Sequence, residues 1–150
     1  MAIKEYKVFA NVEVITNKEN IGVAASWNVL CDKIFETCDY ALILNDDIYL
    51  RKTSLDIEMM INIRSNHFIR ATPDWCAFII SKKIYKKVGR FDECFFPAYY
   101  EDSSYEYRMK LNGIPMVQAP ALNPFIYNNC KTMEKMPELQ ELGKIINSFT

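Results

Sequence analysis

Two acidic clusters have the residue types and spacing to do chemistry. Asn45-Asp46-Asp47 follows directly on the apolar run Tyr40 to Leu44, and Glu101-Asp102 follows Pro97-Ala98-Tyr99-Tyr100. Neighbouring carboxylates at the mouth of a buried strand cannot both be desolvated without compensation, so Asp46 and Asp47 must be solvated, hydrogen-bonded or bound to a cation. Oxygen-only ligation favours Mg2+ or Mn2+ over zinc. Such an ion completes its shell with phosphate oxygens and water, which suggests a phosphate-bearing substrate. The plainer alternative is a solvated turn, where Asn and Asp are favoured for their local hydrogen bonds. Glu101 and Asp102 also have two readings. At a helix start they stabilise the helix dipole, and the same dipole would keep Asp102 ionised and able to accept a proton from a hydroxyl. The aromatic residues Phe91, Phe95, Phe96, Tyr99 and Tyr100 suit a sugar pocket or a packed core.

Both clusters need elements to hold them. Val12, Val14 and Ile15 suggest a strand leaving a sheet, and Asn20 is available to cap a helix carrying Ile21, Ala24, Ala25, Asn28, Val29 and Phe35. Tyr40 to Leu44 is short and almost wholly apolar, as in a strand covered on both faces. Ser54 can cap a second helix with Ile57, Met60 and Ile61 inward, and Cys76 to Ile80 is a further apolar strand. A helix from Ser81 to Val88 is closed by Gly89, and another from about Tyr100 to Asn112 is stopped by Gly113. Ile114 to Gln118 reads as a strand, Pro120 to Asn129 as irregular, and Pro137 to Phe149 as a terminal amphipathic helix. Strands alternating with helices predict a single α/β domain over 1-150, a mostly parallel sheet flanked by helices. In such sheets ligands bind beyond the carboxyl ends of the strands, which is where Asn45-Asp46-Asp47 falls.

Composition narrows the partners. The chain has 150 residues, 50% hydrophobic and 25% charged, with a formal net charge of -1. That balance creates no field to gather nucleic acid or anionic lipid, and Lys82, Lys83, Lys86 and Lys87 read as a solvated helix face. Five cysteines, without a C-x-x-C pair, argue against a disulfide framework or a zinc ribbon and fit reduced thiols in a cytoplasmic protein. No apolar stretch has the length of a signal peptide or a membrane span, so no transmembrane segment is expected. The single histidine, His67, reads as a surface or packing residue.

Four segments together carry a family resemblance. They are Asn20-Ile21-Gly22-Val23-Ala24-Ala25-Ser26-Trp27-Asn28; Asp39 to Asp47; Cys76 to Ser81 with Val88-Gly89-Arg90-Phe91-Asp92-Glu93; and Tyr100-Glu101-Asp102 with Arg108 and Gly113. In this order, across about residues 12 to 118, they closely resemble successive motifs of family-2 glycosyltransferases of the GT-A fold. The resemblance implies transfer of a sugar from a nucleotide-sugar donor to the hydroxyl of a carbohydrate or glycoconjugate acceptor, metal-assisted and with inversion. It implies Asp47 as leading ligand of Mn2+ or Mg2+ with Asp46 as helper, and Asn20, Gly22, Asn28, Asn45 and Asp46 beside the donor. It further implies Asp102 as the general base with Glu101 near the acceptor, and a loop before the acceptor site at Gly89 to Phe96.

The chain also departs from the family pattern. Only residues 1–11 precede the first recognisable strand, whereas the nucleoside-binding unit of the family needs roughly thirty or more. A truncated GT-A fold is therefore expected, its exposed sheet edge covered by a homo-oligomer or a partner chain. Asn45 stands at the first position of the Asp-rich motif, and the region of the family's metal-binding His offers only Asn123, Asn128 and Asn129. The competing expectations are a non-catalytic remnant that binds carbohydrate or protein, and a metal-dependent phosphohydrolase using the same carboxylates.

Overall fold

Ala24, Trp27 and Cys31 recur at helical spacing, and with the polar Asn28 they are the buried positions of helix α1, Val23–Ile34. A computed structural model of the chain describes residues 12–46, 48–50, 66–70, 75–118 and 126–128, without the side chains of 49–50 and 126–128. The helices expected after Ser54 and from Pro137 to Phe149, and Cys130, lie outside the described residues. Two corrections concern the start of the chain. Residues 12–17 form no strand, and Val12 and Ile15 are exposed, as an apolar run without a pairing partner must be. Asn20 does not cap α1; Gly22 stands at the N-cap, and the Asn20 side chain instead accepts from the Gly22 N–H at 2.9 Å.

Helix α2, Lys82–Val88, is capped by Ser81, whose Oγ accepts from the Ile84 N–H at 3.2 Å, and it ends at Gly89. Helix α3, Glu101–Leu111, turns Glu101, Tyr105 and Met109 inward at four-residue spacing and closes before Gly113, whose φ of 65° needs no Cβ to be accommodated. Among the described residues no helix is long and apolar enough to cross a membrane.

Six strands are described: β1 Tyr40–Leu44, β2 Ile48–Leu50, β3 Phe68–Arg70, β4 Ala77–Ser81, β5 Met116–Gln118 and β6 Ile126–Asn128. Four form one sheet in the order β1-β4-β3-β5, and β2 pairs with β6 in a separate ribbon. The α/β class holds, but the expected mostly parallel sheet is mixed. The β1–β4 and β3–β4 pairings are antiparallel and β3–β5 is parallel. For β3–β4 chain length is the cause, since residues 71–76 between them are too few for the parallel crossover, which takes a dozen or more. β1, β3 and β5 nevertheless share one direction, with β4 running against them. The three-residue strands β2, β3 and β6 carry no alternation of their own. β6 therefore falls inside a stretch that the Pro- and Asn-rich sequence marks as irregular.

The core joins the sheet to helices α1, α2 and α3. Trp27 stacks at 6.5 Å on Trp75 and meets Phe78 and Phe91 edge-on, each at 5.1 Å between ring centroids. Phe68 packs on Trp75 at 4.8 Å, and Phe91 stacks on Tyr105 at 4.0 Å. Each such pair adds about 0.5–1.5 kcal/mol beyond its area burial. Phe91 is thus core, whereas Phe95, Tyr99 and Tyr100 are half-buried and Phe96 is 60% exposed.

Tyr105 is 0% exposed, and among the described residues its hydroxyl has no hydrogen-bond partner. A buried hydroxyl without a partner opposes folding. Tyr105→Phe should therefore raise the unfolding free energy by about 1 kcal/mol, measured by urea denaturation. A loss of stability would mean that the hydroxyl is satisfied.

Candidate functional site

The connection 35–39 between α1 and β1 reverses the chain, so the start of the helix and the end of the strand lie at the same end of the sheet. The Asn45 N–H donates to the Cys76 carbonyl at 2.9 Å and ties the end of β1 to the residue before β4. The Val23 N–H donates to the Pro97 carbonyl at 2.9 Å, which brings the segment before α3 onto the first turn of α1. Glu101 and Asp102 open α3 four and five positions beyond that contact. Asn20-Gly22, Asn45-Asp46, Trp75-Cys76 and the start of α3 thus gather where β1, β3 and β5 end.

Gly22 is buried with φ 84°, and a Cβ there would stand 3.0 Å from Phe96 Cδ2 and 3.1 Å from the Pro97 carbonyl oxygen. Glycine is required on both counts. Asn20 is exposed, its side chain engaged in the turn to Gly22. Asn28, expected beside the donor, is 0% exposed and makes four hydrogen bonds to protein. Nδ2 donates to the Phe91 carbonyl at 2.9 Å and to Glu93 Oε1 at 2.8 Å, while Oδ1 accepts from the Phe91 N–H at 2.8 Å and, at 3.2 Å, from the Tyr85 hydroxyl, whose single proton it shares with Asp32. That fills the capacity of a side-chain amide, so in this arrangement Asn28 offers no atom to a ligand.

Asn45 is half-buried and Asp46 exposed in the turn that follows β1. Asp47 lies outside the described residues, as do Asn123 and Asn129. The β2–β6 register sets Asn128 opposite Ile48, two residues past Asp46. Among the described residues no group of three or more His, Cys, Asp or Glu side chains is arranged to hold a metal ion.

The two acids at the start of α3 occupy different environments. Asp102 is half-buried, and its Oδ1 accepts from the Ser103 N–H at 2.6 Å. Glu101 is 6% exposed, and among the described residues its Oε2 has no hydrogen-bond partner. Burial pushes the Glu101 carboxyl up to about 7; the nearby Asp102 charge adds to this, against backbone N–H groups of Glu101 and Tyr99 that favour the ionised form. The chain enters this helix through Tyr99 and Tyr100, at φ 81° and 69°, and Trp75 beside the end of β1 has φ 52°. Left-handed conformations at such bulky residues cost of order 1–3 kcal/mol each and collect where a site dictates the backbone.

Sequence reading did not find the links that hold these parts in place. Arg90 bridges Asp32 and Glu93, the Tyr85 hydroxyl donates to Asp32 at 3.0 Å, and Arg108 donates to the Val88 carbonyl at 3.2 Å while lying over the Tyr105 ring. The two bonds to Asp32 join residues more than fifty positions apart, so no local pattern signals them. Comparison with family models, curated proteins and solved structures found no match.

The raised Glu101 carboxyl predicts a pH dependence. The folded state holds this proton more tightly than the unfolded chain, so the contribution to stability is complete below about 4.5 and is lost as pH rises to about 7. Glu101→Gln should remove that slope and gain on the order of 3 kcal/mol relative to the parent between pH 4.5 and pH 8, read from urea midpoints across pH. Parallel curves for the two proteins would place Glu101 in water.

Proposed function

We propose that this chain is a glycosyltransferase of the GT-A type, moving a sugar from a nucleotide-diphosphate donor to a carbohydrate or glycoconjugate hydroxyl with inversion. One observation carries the reading. One part of each of the four segments, Gly22, Asn45-Asp46, Cys76 and the Glu101-Asp102 start of α3, lies toward the carboxyl ends of β1, β3 and β5, the place where open α/β sheets bind ligands. The left-handed conformations at Trp75, Tyr99 and Tyr100 and the buried Glu101 fall at the same end, with Trp75 joining it to the aromatic core.

The described donors at the end of β1 suit a hard divalent cation. Asn45 and Asp46 offer only oxygen, one uncharged and one carboxylate, in an exposed turn. A set this small fits Mg2+ or Mn2+, which keep water and substrate phosphate in their shells. Asp47 would be the leading ligand and Asp46 its helper. When bound, the ion neutralises charge on the departing nucleotide diphosphate.

The remaining work falls to the chain itself. Gly22 lets the backbone of the first turn of α1 come close to Phe96 and Pro97, and Asn20 fixes the turn into it. Asp102, open to solvent and held by Ser103, takes the proton of the acceptor hydroxyl as that oxygen attacks the anomeric carbon. Glu101, buried behind it, is held toward its neutral form by burial, which lessens the negative charge beside the base.

Calorimetric titration with a panel of nucleotide sugars, with and without Mn2+, tests the reading directly. The parent should bind one of them in a metal-dependent way, and Asp47→Ala should lose that dependence. Asp102→Asn should retain donor affinity while transfer falls about a hundredfold to ten-thousandfold. Absence of metal-dependent binding in the parent would overturn the proposal, and equal transfer rates for parent and Asp102→Asn would remove the base.

A further inference from the structure

Asn28 is a polar side chain in the middle of the inward face of α1, between Ala24 and Cys31. An amide buried there without partners would oppose folding, so its bonds must be explained. Two of them engage a single residue. The Asn28 amide accepts from the N–H of Phe91 and donates to its carbonyl, as the backbone of a neighbouring strand would. Phe91 lies in a segment without helix or strand, so Asn28 supplies the pairing that its buried backbone otherwise lacks. The second Nδ2 hydrogen goes to Glu93, and Tyr85, Asp32 and Arg90 close a ring around the contact.

From Phe91 the chain runs to Phe96 and Pro97, where the Val23 N–H receives it. The same helix therefore holds both ends of segment 91–97, at Asn28 and at Val23. Residues 98–100 then lead directly into Glu101 and Asp102. Neither end of the segment can shift along α1 without breaking a buried hydrogen bond, so the position of the two acids depends on both.

We infer that Asn28 is a positioning residue: it docks segment 91–97 on α1 and thereby sets where the Glu101-Asp102 start of α3 stands relative to the end of β1, touching neither donor nor acceptor. The catalytic part of this inference rests on the glycosyltransferase reading, whereas the docking part rests on geometry alone.

Asn28→Asp tests it, being nearly isosteric but turning a carboxylate toward the Phe91 carbonyl and Glu93. Amide hydrogen exchange supplies a readout that needs no substrate. The Asp carboxylate can still accept from the Phe91 N–H, but the Nδ2 bonds to the Phe91 carbonyl and Glu93 are lost and the segment is loosened. Exchange at Phe91 and at Val23, which bonds Pro97, should therefore accelerate about tenfold or more, the factor for one lost hydrogen bond of about 1.4 kcal/mol. The Lys82 N–H, which donates to Asp39 at 2.8 Å at the opposite end of the sheet, should change by less than about twofold. In transfer assays kcat should fall about tenfold or more with donor KM within about twofold, because an interaction that only aligns the base is felt in the transition state alone.

Faster exchange at Phe91 with unchanged exchange at Val23 would reduce Asn28 to a local packing bond and overturn the inference. A raised donor KM with kcat preserved would also overturn it, by making Asn28 a donor contact. If the parent transfers no sugar from any donor, the glycosyltransferase reading fails, and the exchange at Val23 still decides the docking. Should Asn28→Asp not fold, Tyr85→Phe removes the hydroxyl that donates to Asn28 and Asp32, and should move both amides in the same sense by about threefold; no change there counts against the inference.

Discussion

Trp27 is the side chain on which the layers of this protein meet. Its ring touches Trp75 just before β4, Phe78 within β4 and Phe91 in the segment that leads to α3. One helix residue therefore couples the sheet, the strained turn before β4 and the approach to the second acidic cluster. Close packing makes this coupling stiff, because a well-filled interior admits no change of even a methylene without displacing its neighbours. The next residue, Asn28, binds the same approach through hydrogen bonds. Apolar and polar attachment of one loop thus come from adjacent positions on one helix.

Around this attachment the two ends of the molecule differ in character. Toward the centre lie rings in ordinary contact and β4, buried at all five positions. At the carboxyl ends of the like-directed strands lie three bulky residues in left-handed conformations, a buried carboxyl with an oxygen lacking a partner among the described residues, and an exposed Asp. The left-handed residues and the buried carboxyl each oppose folding, and the rest of the structure must hold them in place. Their concentration at one end is what a preorganised site requires, since groups already in position need not reorganise during reaction.

The two acids at the start of α3 show how position along a helix separates chemical roles. Adjacent residues point about 100° apart around the axis, so Glu101 faces the core and Asp102 the solvent. The inward acid is held toward its neutral form by burial, and the outward one stays accessible. Two carboxylates in sequence thereby become unlike groups in space, which is the pattern by which one site can keep an acid and a base together.

Much of the architecture was legible in the residues. Apolar spacing marked α1, acids in the first turn and the Gly113 stop marked α3, Ser81 and Gly89 bracketed α2, and the run Tyr40 to Leu44 ended as a strand where its polar tail begins. These features depend on side chains close in sequence, and local periodicity records them. The acidic residues at the ends of β1 and before α3 were legible for the same reason. Strand direction was not, because a strand buried on both faces carries the same apolar run whether its neighbour is parallel or antiparallel. Nor were the pairing of Ile48–Leu50 with Ile126–Asn128, the unequal burial of Glu101 and Asp102, and the enclosure of Asn28. Those were decided by contacts between residues tens of positions apart, and only the folded chain, through the requirement that each buried polar group find a partner, selects them.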